Sequence, residues 1–112
     1  MNKLFIIGNL TRDPDLRTTQ SGISVCSFTI AVNRRRKVEG QPEADFFRVT
    51  TWRGTAESCA KYLTKGRKVA VVGAVSVQTY ENKDGETRAS LEIEADDVEF
   101  LTTKDGGGSP ER

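Results

Sequence analysis

A-D-F-F-R-V-T-T-W occupies residues 44–52, and the rest of the chain can be read outward from it. Side chains on an extended strand alternate between its two faces. One face then carries Phe46, Arg48, Thr50 and Trp52, and the other carries Phe47, Val49 and Thr51. The second set suits a core, with Phe47 packed beside Val49. The first set suits neither a core nor an ordinary solvated face. It has an aromatic ring at each end, with a guanidinium and a hydroxyl between them. Surfaces that hold single-stranded nucleic acid use that combination, rings for unpaired bases and a cation for phosphates. Each base–ring stack is worth roughly 1–3 kcal/mol. A half-buried strand whose aromatics merely cap the core would contain the same residues, so the flanking chain has to decide.

Upstream, S-V-C-S-F-T-I-A-V-N at 24–33 alternates cleanly. Cys26, Phe28, Ile30 and Val32 point one way, and Ser27, Thr29, Ala31 and Asn33 the other, as in a half-buried antiparallel strand. Cys26 is a core residue in this reading. Between the two strands lies R-R-R-K-V-E-G-Q-P-E-A, residues 34–44. Arg34, Arg35, Arg36 and Lys37 are more cations than solubility needs. They read as a basic finger that grips phosphates and makes binding salt-dependent. Further upstream, K-L-F-I-I-G-N-L at 3–10 is apolar on both faces, which suits a barrel wall or a subunit contact. Residues 11–22 between them, with Asp13-Pro14 and Ser21-Gly22, read as turn chemistry. Arg12 and Arg17 there read as solvated loop charges.

Downstream, Ala56, Cys59, Ala60 and Leu63 fall at i, i+3, i+4, i+7, one apolar stripe on a helix of about ten residues. Thr55 is placed to be its N-cap and Gly66 its C′ glycine. Residues 68–80, K-V-A-V-V-G-A-V-S-V-Q-T-Y, form a long strand with Val69, Val71, Val75 and Val77 on one face. Gly73 marks a bend or bulge, and Tyr80 points away from the valines. Asp84-Gly85 signals a hairpin turn, followed by an alternating strand from Thr87 to Ala95 and a short apolar ending. Residues 104–112 have a linker's composition.

Strand, strand, strand, helix, strand, strand does not alternate as a βαβ sheet would. It fits an all-β OB-fold, a five-stranded Greek-key barrel with one helix between the third and fourth strands. The domain spans 1–103, with 104–112 as a flexible segment. The ligand face of such a barrel lies across the second and third strands, where Phe46, Arg48, Trp52 and the 34–37 cations map, with Tyr80 at a rim.

Composition excludes several alternatives. There are 112 residues, no histidine and two cysteines. The commonest general base and metal ligand are therefore missing. Cys26 and Cys59 lack metal-site spacing, so neither a metal nor a cofactor is expected. Asp13 and Asp15 flank a proline, and the acids of 92–99 lie along one strand. Neither set converges as a nuclease site requires, so no catalytic residue is expected. L-F-I-I before Gly8 is too short for a secretory or membrane segment, which points to a cytoplasmic protein with no membrane partner. Net charge is +1. It divides into 13 Lys+Arg against 6 Asp+Glu over residues 1–80, and 4 against 10 over 81–112. A basic region on a near-neutral chain suits a polyanionic partner.

The segments N-K-L-F-I-I-G-N-L-T-R-D-P-D-L-R, F-T-I-A-V-N-R, A-D-F-F-R-V-T-T-W-R-G-T-A-E, Y-L-T-K-G and Y-E-N-K-D-G, in that order, resemble the bacterial single-stranded DNA-binding proteins, the homotetrameric replication and repair type. The resemblance covers about the first hundred residues. It implies sequence-tolerant binding of single-stranded DNA in replication, recombination and repair, without catalysis. It implies that Phe46, Trp52 and Tyr80 stack on bases. It places Arg34, Arg36, Arg48 and Arg53 near the family's phosphate contacts. Arg36 stands where some relatives carry an aromatic, which shifts binding towards charge. The family usually ends in an acidic tip that recruits other proteins. This chain stops at S-P-E-R, so such recruitment is not expected of it. A module on the same barrel that works through protein contacts is the competing reading. It would tolerate loss of Phe46 and Trp52.

Overall fold

The computed structural model describes residues 1–36 and 38–101. Lys37 and the segment 104–112 lie outside the described residues. Six strands and one helix follow in order: β1 Leu4–Leu10, β2 Asp15–Thr18, β3 Ser24–Asn33, β4 Ala44–Trp52, α1 Arg53–Tyr62, β5 Lys68–Glu81 and β6 Thr87–Leu101. The sheet runs β1-β5-β6-β4-β3-β2, and β1 also pairs with β3. The five longer strands therefore close on themselves as an OB-fold barrel with its helix between β4 and β5. The β4–β6 pair is parallel, while the remaining neighbours are antiparallel.

Closure follows from the alternation of apolar residues. Cys26, Phe28 and Ile30 of β3 face Thr51, Val49 and Phe47 of β4. Val49 pairs in turn with Ile93 of β6, and Ile93 with Val75 of β5. Cys26, Phe28, Ile30, Val49, Val69, Val71 and Ile93 are buried together, with Leu10 from β1. Each such aliphatic side chain contributes about 1.5–3 kcal/mol when fully removed from water. Phe47 packs against this cluster, as its place beside Val49 requires. Ala56, Cys59 and Leu63 carry the helix stripe into the same cluster. The Thr51 hydroxyl is buried with them and donates to the Cys26 carbonyl at 2.9 Å.

The structure departs from the sequence expectations in four places. First, the turn-rich segment 11–22 contains a strand. β2 pairs with residues 24–27 of β3, but all four of its residues are exposed. No apolar alternation marks it because it is an edge strand with nothing to bury. Second, α1 starts at Arg53 rather than after Thr55. Its N-cap is Trp52, without a side-chain cap bond, because the chain leaves β4 through a left-handed Arg53 (φ 56°). Third, Gly66 is not the helix C′ residue. It lies beyond the C-cap Leu63, with φ 90°. Its N–H donates to the Leu10 carbonyl, and the Leu10 N–H donates to the Arg67 carbonyl, so this turn clamps the end of β1. Fourth, Val77 is exposed rather than buried. β6 last pairs with β4 at Leu91, opposite Val77; from there β5 and β6 leave the barrel as a two-stranded arm, and a valine at its root no longer faces the core.

Gly73 is also the site of the expected irregularity. The register slips between Val72↔Asp97 and Gly73↔Ala95, so Asp96 is the extra residue of a bulge. Lys3 forms an ion pair with Asp96. The Asp84-Gly85 hairpin forms as expected. The Asn82 side-chain oxygen accepts from the Asp84 and Glu86 amides at 2.9 and 3.0 Å.

Candidate nucleic-acid interface

The alternation of β4 is resolved as the sequence demanded. Val49 and Thr51 are buried, while Phe46, Arg48 and Trp52 are exposed. Phe46 keeps 57% and Trp52 42% of its surface in water. Six residue steps of strand separate them, about 20 Å. Strand register extends this outward face sideways. Arg48 lies between Thr29 of β3 and Glu92 of β6. Glu92 in turn faces Ser76 of β5. Ser76, Gln78 and Tyr80 alternate along one face of the arm, so Tyr80 belongs to the same surface. Its ring is 54% exposed. Phe46, Trp52 and Tyr80 are thus three exposed rings on one continuous face, with Arg48 among them.

The cations divide into two groups. Arg34 is held by its neighbours: its guanidinium donates to both Asp45 carboxylate oxygens, at 2.7 to 3.3 Å, and to the Gln41 side chain at 3.1 Å. The Asp45 carboxylate raises the guanidinium pKa further, so Arg34 stays charged but committed to the β3–β4 hairpin. Among the described residues, Arg12, Arg35, Arg36, Arg48 and Arg53 have no carboxylate partner. Arg35 and Arg36 are exposed at the root of the 34–44 loop.

Two cations on this face were not expected there: Arg12 reads from the sequence as a solvated loop charge, and Arg88 carries no signal of its own. Arg12 lines a groove of about 290 Å³ together with Ser27, Thr29 and Arg48, and with the carboxylates of Asp13 and Asp15. Nothing in its loop distinguished it. Arg88 stands directly across the arm from Tyr80. Counting back from the Asp84-Gly85 turn would have found it. It pairs with Glu86 at 2.8 Å. Such an exposed pair is worth about 0–1 kcal/mol and is open to exchange for a phosphate.

Burial pushes the Cys59 thiol up to about 12, with a contribution from Cys26, and raises the Cys26 thiol as well. Both are buried free thiols. Among the described residues no group of three or more His, Cys, Asp or Glu side chains could hold a metal ion. No helix there is long and apolar enough to cross a membrane.

Arg53 carries backbone strain at the rim of the face. It is the one residue other than glycine with positive φ among the described residues, at 56°. That conformation costs about 1 kcal/mol without glycine. Arg53→Gly should therefore raise stability in urea unfolding by about 0.5–1 kcal/mol. The same variant should bind single strands severalfold more weakly, since a free cation beside Trp52 is lost.

A barrel whose outer face combines exposed rings with unpartnered guanidinium groups defines a single-strand-binding OB module. The model of the single-strand binding protein family matches residues 1–101, and the chain belongs to that family. It is 48% identical over 102 residues to "Single-stranded DNA-binding protein 3" of Clostridium acetobutylicum, covering 90% of this chain and 71% of that one. It is 45% identical over 105 residues to "Single-stranded DNA-binding protein 1" of Staphylococcus aureus, covering 93% and 67%. It is 43% identical over 110 residues to "Single-stranded DNA-binding protein A" of Bacillus subtilis, covering 97% and 64%.

Proposed function

We propose that this chain binds single-stranded DNA without regard to sequence over most of its face, and so protects unpaired strands during replication, recombination and repair. One observation carries the reading. Phe46, Arg48 and Trp52 stand exposed in one row of β4, with Tyr80 on the same face. Bases of any identity stack on rings, while a duplex hides its bases and cannot use them. Arg35, Arg36, Arg48 and Arg53 contact phosphates in this reading, joined by Arg12, Arg88 and Lys37. Arg34 holds the hairpin that presents them. The chain works by binding, not catalysis, and a cytoplasmic setting suits its two free thiols.

Anisotropy of a labelled oligo-dT strand, measured against salt, tests the phosphate contacts. Each contact on a single strand adds about 0.7 to the slope of log affinity against log salt. Arg35→Ala with Arg36→Ala should lower the slope by about 1.4. An unchanged slope would remove those two residues from the interface.

The assembly is a homotetramer in this reading. Phe5 and Ile7 project from the outer side of β1 with 73% and 54% exposure, beside Val72 and Ala70 of β5. Isolated rings are ordinary on a surface, but a contiguous apolar patch marks an interface. Four linked binding faces would raise avidity through effective concentration. Phe5→Lys with Ile7→Lys should shift sedimentation to smaller species. An unchanged sedimentation coefficient would place the subunit contact elsewhere.

A further inference from the structure

The arm that carries Tyr80 and Arg88 needs something to set its direction. A two-stranded ribbon on its own is marginal in water, so the setting has to come from its root. Among the described residues, no strand flanks the β1-facing edge of β5 beyond Gly73. The β1–β5 register ends at Leu4↔Gly73, two residues before Val75. If that register continued, Lys3 would stand opposite Ala74 and Asn2 opposite Val75.

Asn2 makes that pairing with its side chain. Its Nδ2 donates to the Val75 carbonyl at 2.8 Å, and its Oδ1 accepts from the Val75 N–H at 3.2 Å. A side-chain amide carries a donor and an acceptor, as a peptide group does, so Asn2 stands in for a strand residue and engages both backbone groups at once. Val75 pairs in turn with the buried Ile93 of β6. Two residues further on, at Val77↔Leu91, β6 last meets β4. On β6 itself, Lys3 forms its ion pair with Asp96, the extra residue of the bulge. That pair is half-exposed and worth little, whereas the Asn2 contact fixes two backbone atoms. Five residue steps separate Val75 from Tyr80, about 17 Å, so a tilt of about 10° at the root moves the ring by about 3 Å. A stack held by van der Waals contact does not survive a gap of that size.

We infer that Asn2 is a positioning residue for single-strand binding: it holds the root of the arm so that Tyr80 and Arg88 stay on the face of Phe46, Arg48 and Trp52. This rests on the reading that the face binds single-stranded DNA. It asks for no contact between Asn2 and the strand.

Asn2→Leu in the whole chain tests the role, since leucine keeps the branched shape of asparagine and neither donates nor accepts. Amide exchange at Val75 should quicken, because its N–H loses its acceptor. The melting temperature should stay within about 2 °C, since one exposed contact adds little to the fold. Affinity for oligo-dT should fall about threefold to tenfold, part of the worth of one stack. A double-mutant cycle supplies the decisive readout. With Tyr80→Ala and Arg88→Ala already in place, Asn2→Leu should cost nothing further. An unchanged affinity in Asn2→Leu alone overturns the role. An equal loss in the Tyr80→Ala, Arg88→Ala background also overturns it, since Asn2 then acts on the strand directly or through another part of the face. A melting temperature lowered by many degrees does the same, because Asn2 would then hold the fold and not the arm. If wild type binds no single strand, the parent reading falls and the role falls with it. If Tyr80→Ala with Arg88→Ala binds as wild type does, the face stands without the arm and the role alone is overturned.

Discussion

Replacing Phe46, Trp52 and Tyr80 together with alanine should lower affinity for oligo-dT at least ~100-fold and leave the fold intact. Three stacks at roughly 1–3 kcal/mol each set the scale, and even strong non-additivity leaves a loss of this size. The rings keep 57%, 42% and 54% of their surface in water, so the core has little to lose. The change in stability should stay within about 1 kcal/mol, a shift of only a few degrees in melting temperature for a domain of this size. A titration paired with a thermal melt reads both. Loss of binding with an unchanged melt assigns the rings to the ligand. Loss of both would make them structural. Retained binding would favour the competing reading, a barrel that works through protein contacts.

The second large effect concerns stability. A methyl group on Gly73 would lie 2.2 Å from the Glu94 carbonyl oxygen and 2.8 Å from the Ala95 Cα. Both are backbone atoms of the paired strand and cannot swing aside as a side chain can. Gly73→Ala must therefore push β6 away from β5 at the bulge. Overpacking against fixed backbone falls among the large destabilising mechanisms, about 3 kcal/mol or more here. Chemical denaturation should show a clear drop in midpoint. The surviving folded fraction should also bind DNA less well, because the arm that carries Tyr80 and Arg88 continues the two strands distorted there. An unchanged midpoint would mean that the two strands are not in such close approach.

Gly73 shows why much of this fold was legible in the sequence. A glycine inside a valine-rich strand has few explanations, and a bulge is one of them. The period-2 pattern of 24–33 and 44–52 likewise fixed which side chains face the core, because one face of each strand is buried. Where burial is absent the pattern is silent. β2 exposes all four of its residues, and Val77 looks like its buried neighbours although it stands where its strand leaves the barrel. The helix start was misread for a different reason. Thr55 is a good capping residue, but Arg53 makes the turn with its own backbone, and a left-handed arginine leaves no composition signal.

The site was legible in its rings and less so in its charges. Phe46, Trp52 and Tyr80 are large apolar groups on faces that should be polar, and that conflict is visible without coordinates. Arginines belong on any surface, so their number says little about their engagement. Arg34 is bound to Asp45 eleven residues on, whereas Arg12 reaches the groove beside Arg48 from a distant loop. Only the register of the strands separates the two cases.

The most direct measurement is a fluorescence titration of Trp52, the one tryptophan in the chain, with oligo-dT and with a duplex of equal length at two salt concentrations. Stacking plus phosphate binding predicts strong quenching by the single strand and little by the duplex. It also predicts affinity that falls as salt rises. No response to the single strand at low salt would contradict the central claim, and so would equal quenching by the duplex.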